Sequence, residues 1–252
     1  MPVSPRAPGW ARLFALIVLV VLAAACGTAG LFRQYEYEED TYLSLDGSAT
    51  VYVNASLAAL NALRGTAFDT SPAARVDRDA VRDYFDTPVT HVVRVSASRR
   101  SGRRFVHVRI DVPDVRRLTE ARPFAWSTYR FNRDGNLFVY QQTLGEPAHQ
   151  NAGNVGWTGR ELVAFRLHLP SKIAYHNTLP GNLKRGNILV WEQSLADRLR
   201  GVPLTLDARM ETQSILYRTL WLFGFTFLAV AIGFVVVIWW VLRRGAQAAE
   251  VS

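Results

Sequence analysis

The stretch 93-VRVSASRRSGRRFVHVRI-110 decides the fold class. Val93, Val95 and Ala97 alternate with polar residues, and Val106, Val108 and Ile110 do the same on the far side of Ser101-Gly102. A period of two on both arms of a Gly-containing turn predicts an antiparallel hairpin with one face buried. His107 falls out of phase with the apolar set, so it belongs to the outer face. Arg99, Arg100, Arg103 and Arg104 crowd the tip.

Working outward, the same pattern recurs. Thr41, Leu43 and Leu45 alternate up to Asp46-Gly47, and Ala49, Val51 and Val53 return, which predicts an opening hairpin. The preceding Tyr35-Glu36-Tyr37-Glu38-Glu39-Asp40 extends its first strand and reads as a solvated, acidic strand end. Two short helices separate these hairpins. One is capped by Asn54 or Ser56, with Leu57, Leu60 and Leu63 inward and Gly65 as its stop. The other is capped by Asp77 and closed by Pro88. Val115 to Glu120 gives one or two further helical turns. Downstream, Thr128 to Arg133 and Asn136 to Thr143 flank Asp134-Gly135 as a third hairpin, and Gly145 to Gly159 reads as an irregular loop. Strands follow at Val163 to Leu169, Ile173 to His176, Asn187 to Gln193 and Leu204 to Met210, with a turn at Pro180-Gly181. Pro203 marks the last strand as an edge. Strands do not alternate with helices, so a parallel doubly wound sheet is excluded. The expectation is an α+β domain: a mainly antiparallel β-sheet with two or three short helices on one side.

Both ends of the chain concern membranes. The run 219-TLWLFGFTFLAVAIGFVVVIWWVL-242 carries no charge and is followed by Arg243-Arg244. At ~1.5 Å per residue it is long enough to cross a ~30 Å hydrocarbon core as a helix. Trp221 at one end and Trp239-Trp240 at the other suit headgroup level, and Arg243-Arg244 suit the cytoplasmic side. At the other end, Arg6 and Arg12 precede apolar Leu13 to Leu22 and then Ala23-Ala24-Ala25-Cys26-Gly27. Cys26 is the only cysteine in the 252 residues. Leu22 to Cys26 resembles a bacterial lipobox, although Leu22 lies one position further out than the lipobox leucine; that resemblance implies lipid attachment at Cys26. An uncleaved anchor, since Leu13 to Phe32 carries no charge, and plain signal cleavage are the alternatives. All three place the middle of the chain outside the cytoplasmic membrane. The expected organisation is a signal or anchor over 1–26, an extracytoplasmic domain over 33–215, a transmembrane helix over 216–242 and a cytoplasmic tail over 243–252.

The net charge is +8, and removing the charges of the two ends leaves +5 on the outer domain, where Lys172 and Lys184 are the only lysines. Outside the cytoplasm, nucleic acid is not the expected partner. The lipid bilayer, with anionic headgroups or another membrane protein, fits that surface.

The last third contains Phe165-Arg-Leu-His-Leu-Pro170, Tyr175-His-Asn, Gly186-Asn-Ile-Leu-Val-Trp191 and Leu204-Thr-Leu-Asp-Ala208. This pattern, with the layout of the whole chain, resembles the LppM-type domain of bacterial envelope lipoproteins over roughly Tyr35 to Glu211. The long loop after Gly145 departs from it. The resemblance implies an α+β envelope domain without established enzymatic activity, and it transfers no catalytic residue.

No nucleophile elbow, P-loop, dinucleotide fingerprint or zinc motif occurs. His107 and His168 lie on outward strand positions; His91, His149 and His176 lie in turns or loops. None has a partner at metal-ligand spacing. Asn132 to Asn136 resembles the start of a calcium loop but lacks its glycine and final glutamate. No metal, cofactor or catalytic residue is expected. The sharpest candidate is the tip Arg99, Arg100, Arg103 and Arg104. Four guanidinium groups on one turn repel one another and favour anionic headgroups; the alternative is a solvated loop that blocks edge pairing. The expected function is a non-catalytic lipid- or protein-binding domain at the outer face of the cytoplasmic membrane. The alternative is a hydrolase of envelope lipid or glycan, with carboxylates and His149 or His176 in loops.

Overall fold

The computed structural model describes residues 33–71, 73–179, 183–184 and 187–249. The N-terminal segment with Cys26 and the turn at Pro180-Gly181 lie outside them. The strands are β1 (Tyr35–Leu43), β2 (Ala49–Ser56), β3 (His91–Arg100), β4 (Arg103–Val112), β5 (Ser127–Asp134), β6 (Leu137–Leu144), β7 (Leu162–His168), β8 (Ser171–His176), β9 (Leu183–Lys184), β10 (Ile188–Ser194) and β11 (Leu204–Ser214). The α-helices are α1 (Leu57–Arg64), α2 (Arg78–Phe85), α3 (Leu195–Leu199) and α4 (Ile215–Ala249), with a 3-10 turn at Val115–Glu120.

The strands form two sheets, one in the order β3-β4-β2-β1-β7-β10-β9 and one in the order β5-β6-β11-β8. Antiparallel pairing prevails, as expected for this α+β class. The exception is central: β1 pairs parallel with β7, from Tyr35 opposite Leu162 to Tyr42 opposite His168. Inward residues of both sheets and of α1 and α2 share one core, including Val51, Val53, Val108, Ile110, Leu60, Phe85, Phe165, Tyr140 and Leu206. Ser56 caps α1 by accepting the Ala59 N–H at 3.0 Å. Gly65 ends it at φ +68°, a left-handed conformation that a side chain would strain, and donates its N–H to the Asn61 carbonyl. Asp77 caps α2, as its sequence position implied.

Four expectations change. The acidic run is not a solvated strand end: β1 lies between β2 and β7, with Glu36 and Glu39 buried. The first arm of the basic hairpin carries a bulge between Val92 and Arg94, which turns Val92 inward and leaves Val93 exposed. β11 is interior, between β6 and β8. Pro203 precedes its first residue and so removes no ladder donor. Finally, α4 runs on through Arg243-Arg244 to Ala249, because the Arg, Ala and Gln residues of the tail favour helix.

Candidate functional site

The notable chemistry gathers at the start of β1. Glu36 is 0% exposed and accepts from Arg103 Nη2 at 2.8 Å and Nε at 3.1 Å. Its other oxygen accepts from the Trp157 indole at 3.2 Å. Arg103 also donates to the Gly156 carbonyl at 3.1 Å, tying the irregular loop to the hairpin tip. A buried guanidinium needs such a full set of acceptors. Arg103 therefore leaves the solvent-facing tip envisaged from sequence and becomes an interior residue.

The other three tip arginines differ. Arg99 is exposed. Arg100 is exposed too; it lies 4.3 Å from the centre of the Phe105 ring and donates to the Tyr35 carbonyl, which fixes the tip beside the entry of β1. Arg104 is half-buried and shares the wall of a cavity of about 420 Å³ with Leu57 and Ala58 of α1, Gly102, Arg103 and Asn154. Among the described residues neither a carboxylate nor a histidine lines it.

Deeper along the same strand is a second dry network. Glu39 meets Arg64 at 3.2 Å, the Tyr37 hydroxyl at 2.8 Å and the Gln142 amide at 3.1 Å. Gln142 in turn accepts from the Tyr140 hydroxyl and donates toward Tyr129. Burial pushes the phenols of Tyr37, Tyr129 and Tyr140 well above their usual pKa, so they stay neutral hydrogen-bonding groups. The Arg64 guanidinium lies 3.5 Å from the Trp126 ring centre, and Arg198 approaches the same ring at 5.8 Å. Arg198 is fully buried and donates to the Gly145 carbonyl at 2.9 Å. Burial lowers its pKa, while Glu146 pulls it back up.

The opposite face of β1 is wetter. Arg166 of β7 bridges Glu38 at 2.7 Å and Asp40 at 3.1 Å. Burial works against its charge, but the hydrogen bonds and charges of Glu38 and Asp40 win and raise its pKa. Tyr42 stacks on His168 with ring centres 3.8 Å apart, and His107 bonds Asn54 at 2.9 Å and Ser98 at 2.8 Å.

The remaining candidates are dispersed. His91 faces Asp86, and His149 faces Glu146 at 3.5 Å on the surface. Among the described residues no three His, Cys, Asp or Glu side chains gather at a metal-binding distance. Trp221, Trp239 and Trp240 are exposed on α4, which also carries Arg243 and Arg244. From Ile215 to Trp240 that helix is long and apolar enough to cross a membrane, and among the described residues its most apolar stretch is left uncovered.

No family model matches the chain, and no curated protein matches its sequence. Among solved structures, the folded domain of LppM from Mycobacterium tuberculosis, determined by NMR, is similar at a TM-score of 0.39 and 15% identity, over 71% of this chain and 92% of that one. A likeness of that degree carries no argument about function.

Sequence reasoning missed Arg64, Arg166 and Arg198. Each lies far along the chain from what it touches. The one local signal was an arginine closing the largely apolar run Leu57–Arg64 and another within Leu162–His168.

Proposed function

We propose that this protein is a membrane-anchored component of a bacterial cell envelope, whose domain binds lipid or a membrane protein without catalysing a reaction. The domain stands at the outer face of the cytoplasmic membrane. The observation that carries this reading is the junction of domain and helix. β11 passes into α4 without a linker, and the Ile215 N–H donates to the Pro170 carbonyl at 3.1 Å. An uncovered apolar helix welded to a folded domain holds that domain within reach of the bilayer, which raises its effective concentration for membrane-bound partners.

The lining of the basic cavity by arginine, small and apolar residues, with no carboxylate or histidine among the described residues, supports binding over hydrolysis. So does the engagement of Glu36 and Glu39 by arginine, tryptophan, tyrosine and glutamine. The test is extraction of membranes with alkaline carbonate, paired with protease added to spheroplasts of cells carrying a tag after Ser252. Retention in the pellet with a protected tag is the expected result. Release of the full-length chain into the supernatant, or digestion of the tag, overturns the reading.

A further inference from the structure

We infer that the basic end of the seven-stranded sheet rests on the anionic bilayer surface, so that β1 and β7 run along the membrane plane instead of pointing away from it. The inference builds on the anchored reading above and names the surface and the partner: phosphate-bearing lipid headgroups.

The first argument is where the chain enters and leaves the domain. It enters at Arg33, and the Gln34 carbonyl accepts the Leu162 N–H at 2.9 Å, at the first residue of β7. It leaves at Ile215, hydrogen-bonded to Pro170 just beyond the last residue of β7. Because β1 and β7 are parallel neighbours, entry and exit lie at opposite ends of one strand pair. Eight residues at ~3.3 Å each separate them by about 26 Å.

The second argument is the length of chain before Arg33. Leu13 to Phe32 is free of charge. If that run stays in the bilayer, Arg33 is the first residue out of it. If Cys26 carries the lipid, the leash to Arg33 reaches at most ~24 Å when fully stretched. An upright domain lifts Arg33 by about the length of β7 above the exit helix, which defeats the first case and strains the second. A domain lying along the surface satisfies both.

The third argument is charge. Arg100 donates to the Tyr35 carbonyl, so the hairpin tip sits at the entry point. Arg33, Arg99 and Arg100 are exposed there, and Arg75, Arg78, Arg99 and Arg104 line a second cleft together with Asp77 and Asp79. Against them stand Asp77 and Asp79 at the start of α2, and Glu192, which binds Arg33. Arg103 is excluded from the contact because Glu36 already balances it. In an upright domain the tip lies beyond a Debye length of ~8 Å and feels little of the surface potential.

The experiment uses the full chain in vesicles of phosphatidylglycerol and phosphatidylcholine containing nitroxide-headgroup lipid. A fluorescent amino acid is placed at Ser101 in one sample and at Ser214 in another, leaving Cys26 untouched. Quenching at Ser101 comparable to that at Ser214, falling about threefold between low and high salt, is the expected result. Arg99→Glu, which spares the folded contacts of Arg100 and Arg103, should reduce Ser101 quenching and leave Ser214 quenching unchanged. Quenching at Ser214 alone, at every salt concentration, overturns the side-lying seat while the anchored reading stands. Quenching at neither position overturns both. Quenching at Ser101 that ignores salt, phosphatidylglycerol and Arg99→Glu overturns the headgroup contact.

Discussion

The two faces of β1 use the same chemistry under different conditions. On the inner face Glu36 and Glu39 meet Arg103 and Arg64 with almost no access to water. On the outer face Glu38 and Asp40 share Arg166, with all three side chains 18% exposed. One run of acids thus serves two purposes. The dry pairs lock elements together, since an unmatched charge there has no solvent to fall back on. The wet pair is replaceable, since water can stand in for either partner.

The largest expected effect comes from breaking the dry network. Arg64→Ala should destabilise the folded domain by roughly 3–5 kcal/mol, read as a shift in denaturant midpoint of the full chain in detergent. The paired change Arg64→Met with Glu39→Gln should recover most of that loss, because no orphaned charge remains. Recovery that fails would mean the cation over Trp126, and not its pairing, holds the site. Arg103→Ala should follow at about 3 kcal/mol. It should also free the loop around Val155 and Gly156, seen as faster proteolysis between Gly145 and Gly159. On the wet face, Arg166→Ala should lower stability by about 1 kcal/mol or less, and that difference should shrink in high salt. A loss as large as that of Arg64→Ala would erase the distinction between the faces.

The smallest effect is one of pH. Burial pushes the imidazole pKa of His168 down against the pull of Asp40, with Arg166 adding to the push. Burial and Arg100 do the same to His107, opposed by Glu38. Both histidines start from 6.5, so below that pH the unfolded chain takes up protons that the folded one refuses. Stability is complete above that value and declines as the pH falls toward the folded pKa. Denaturant midpoints at about pH 7.5 and pH 5.5 should show the decline, and His107→Asn with His168→Asn should flatten it.

Much of the architecture was legible in the sequence because it is local. Asp46-Gly47 and Ser101-Gly102 each sit between alternating runs and became hairpin turns, the third turn fell one residue later at Gly135-Asn136, and Ser56 and Gly65 bound α1. What escaped was long-range. A charge run is ordinarily a solvated face, and nothing near Glu36 or Glu39 announces partners 67 and 25 residues away. The bulge at Val93 is invisible to a period-two count, because one extra residue moves every later side chain to the other face. The tip arginines were found, but their division into an interior Arg103, a half-buried Arg104 and the exposed Arg99 and Arg100 depends on elements that arrive from elsewhere in the chain, Glu36 above all.

The parallel pairing of β1 with β7 has a consequence for how the chain is made. A polypeptide made from its amino end delivers β1 more than a hundred residues before β7. Until then β1 has only its hairpin partner β2, and one row of its backbone amides and carbonyls stays open to any other strand. Glu38 and Asp40, whose partner Arg166 arrives only with β7, put charge beside that open edge in the meantime. Charge that ends in an ion pair across the β1–β7 seam thus first guards the edge of β1 against wrong pairing.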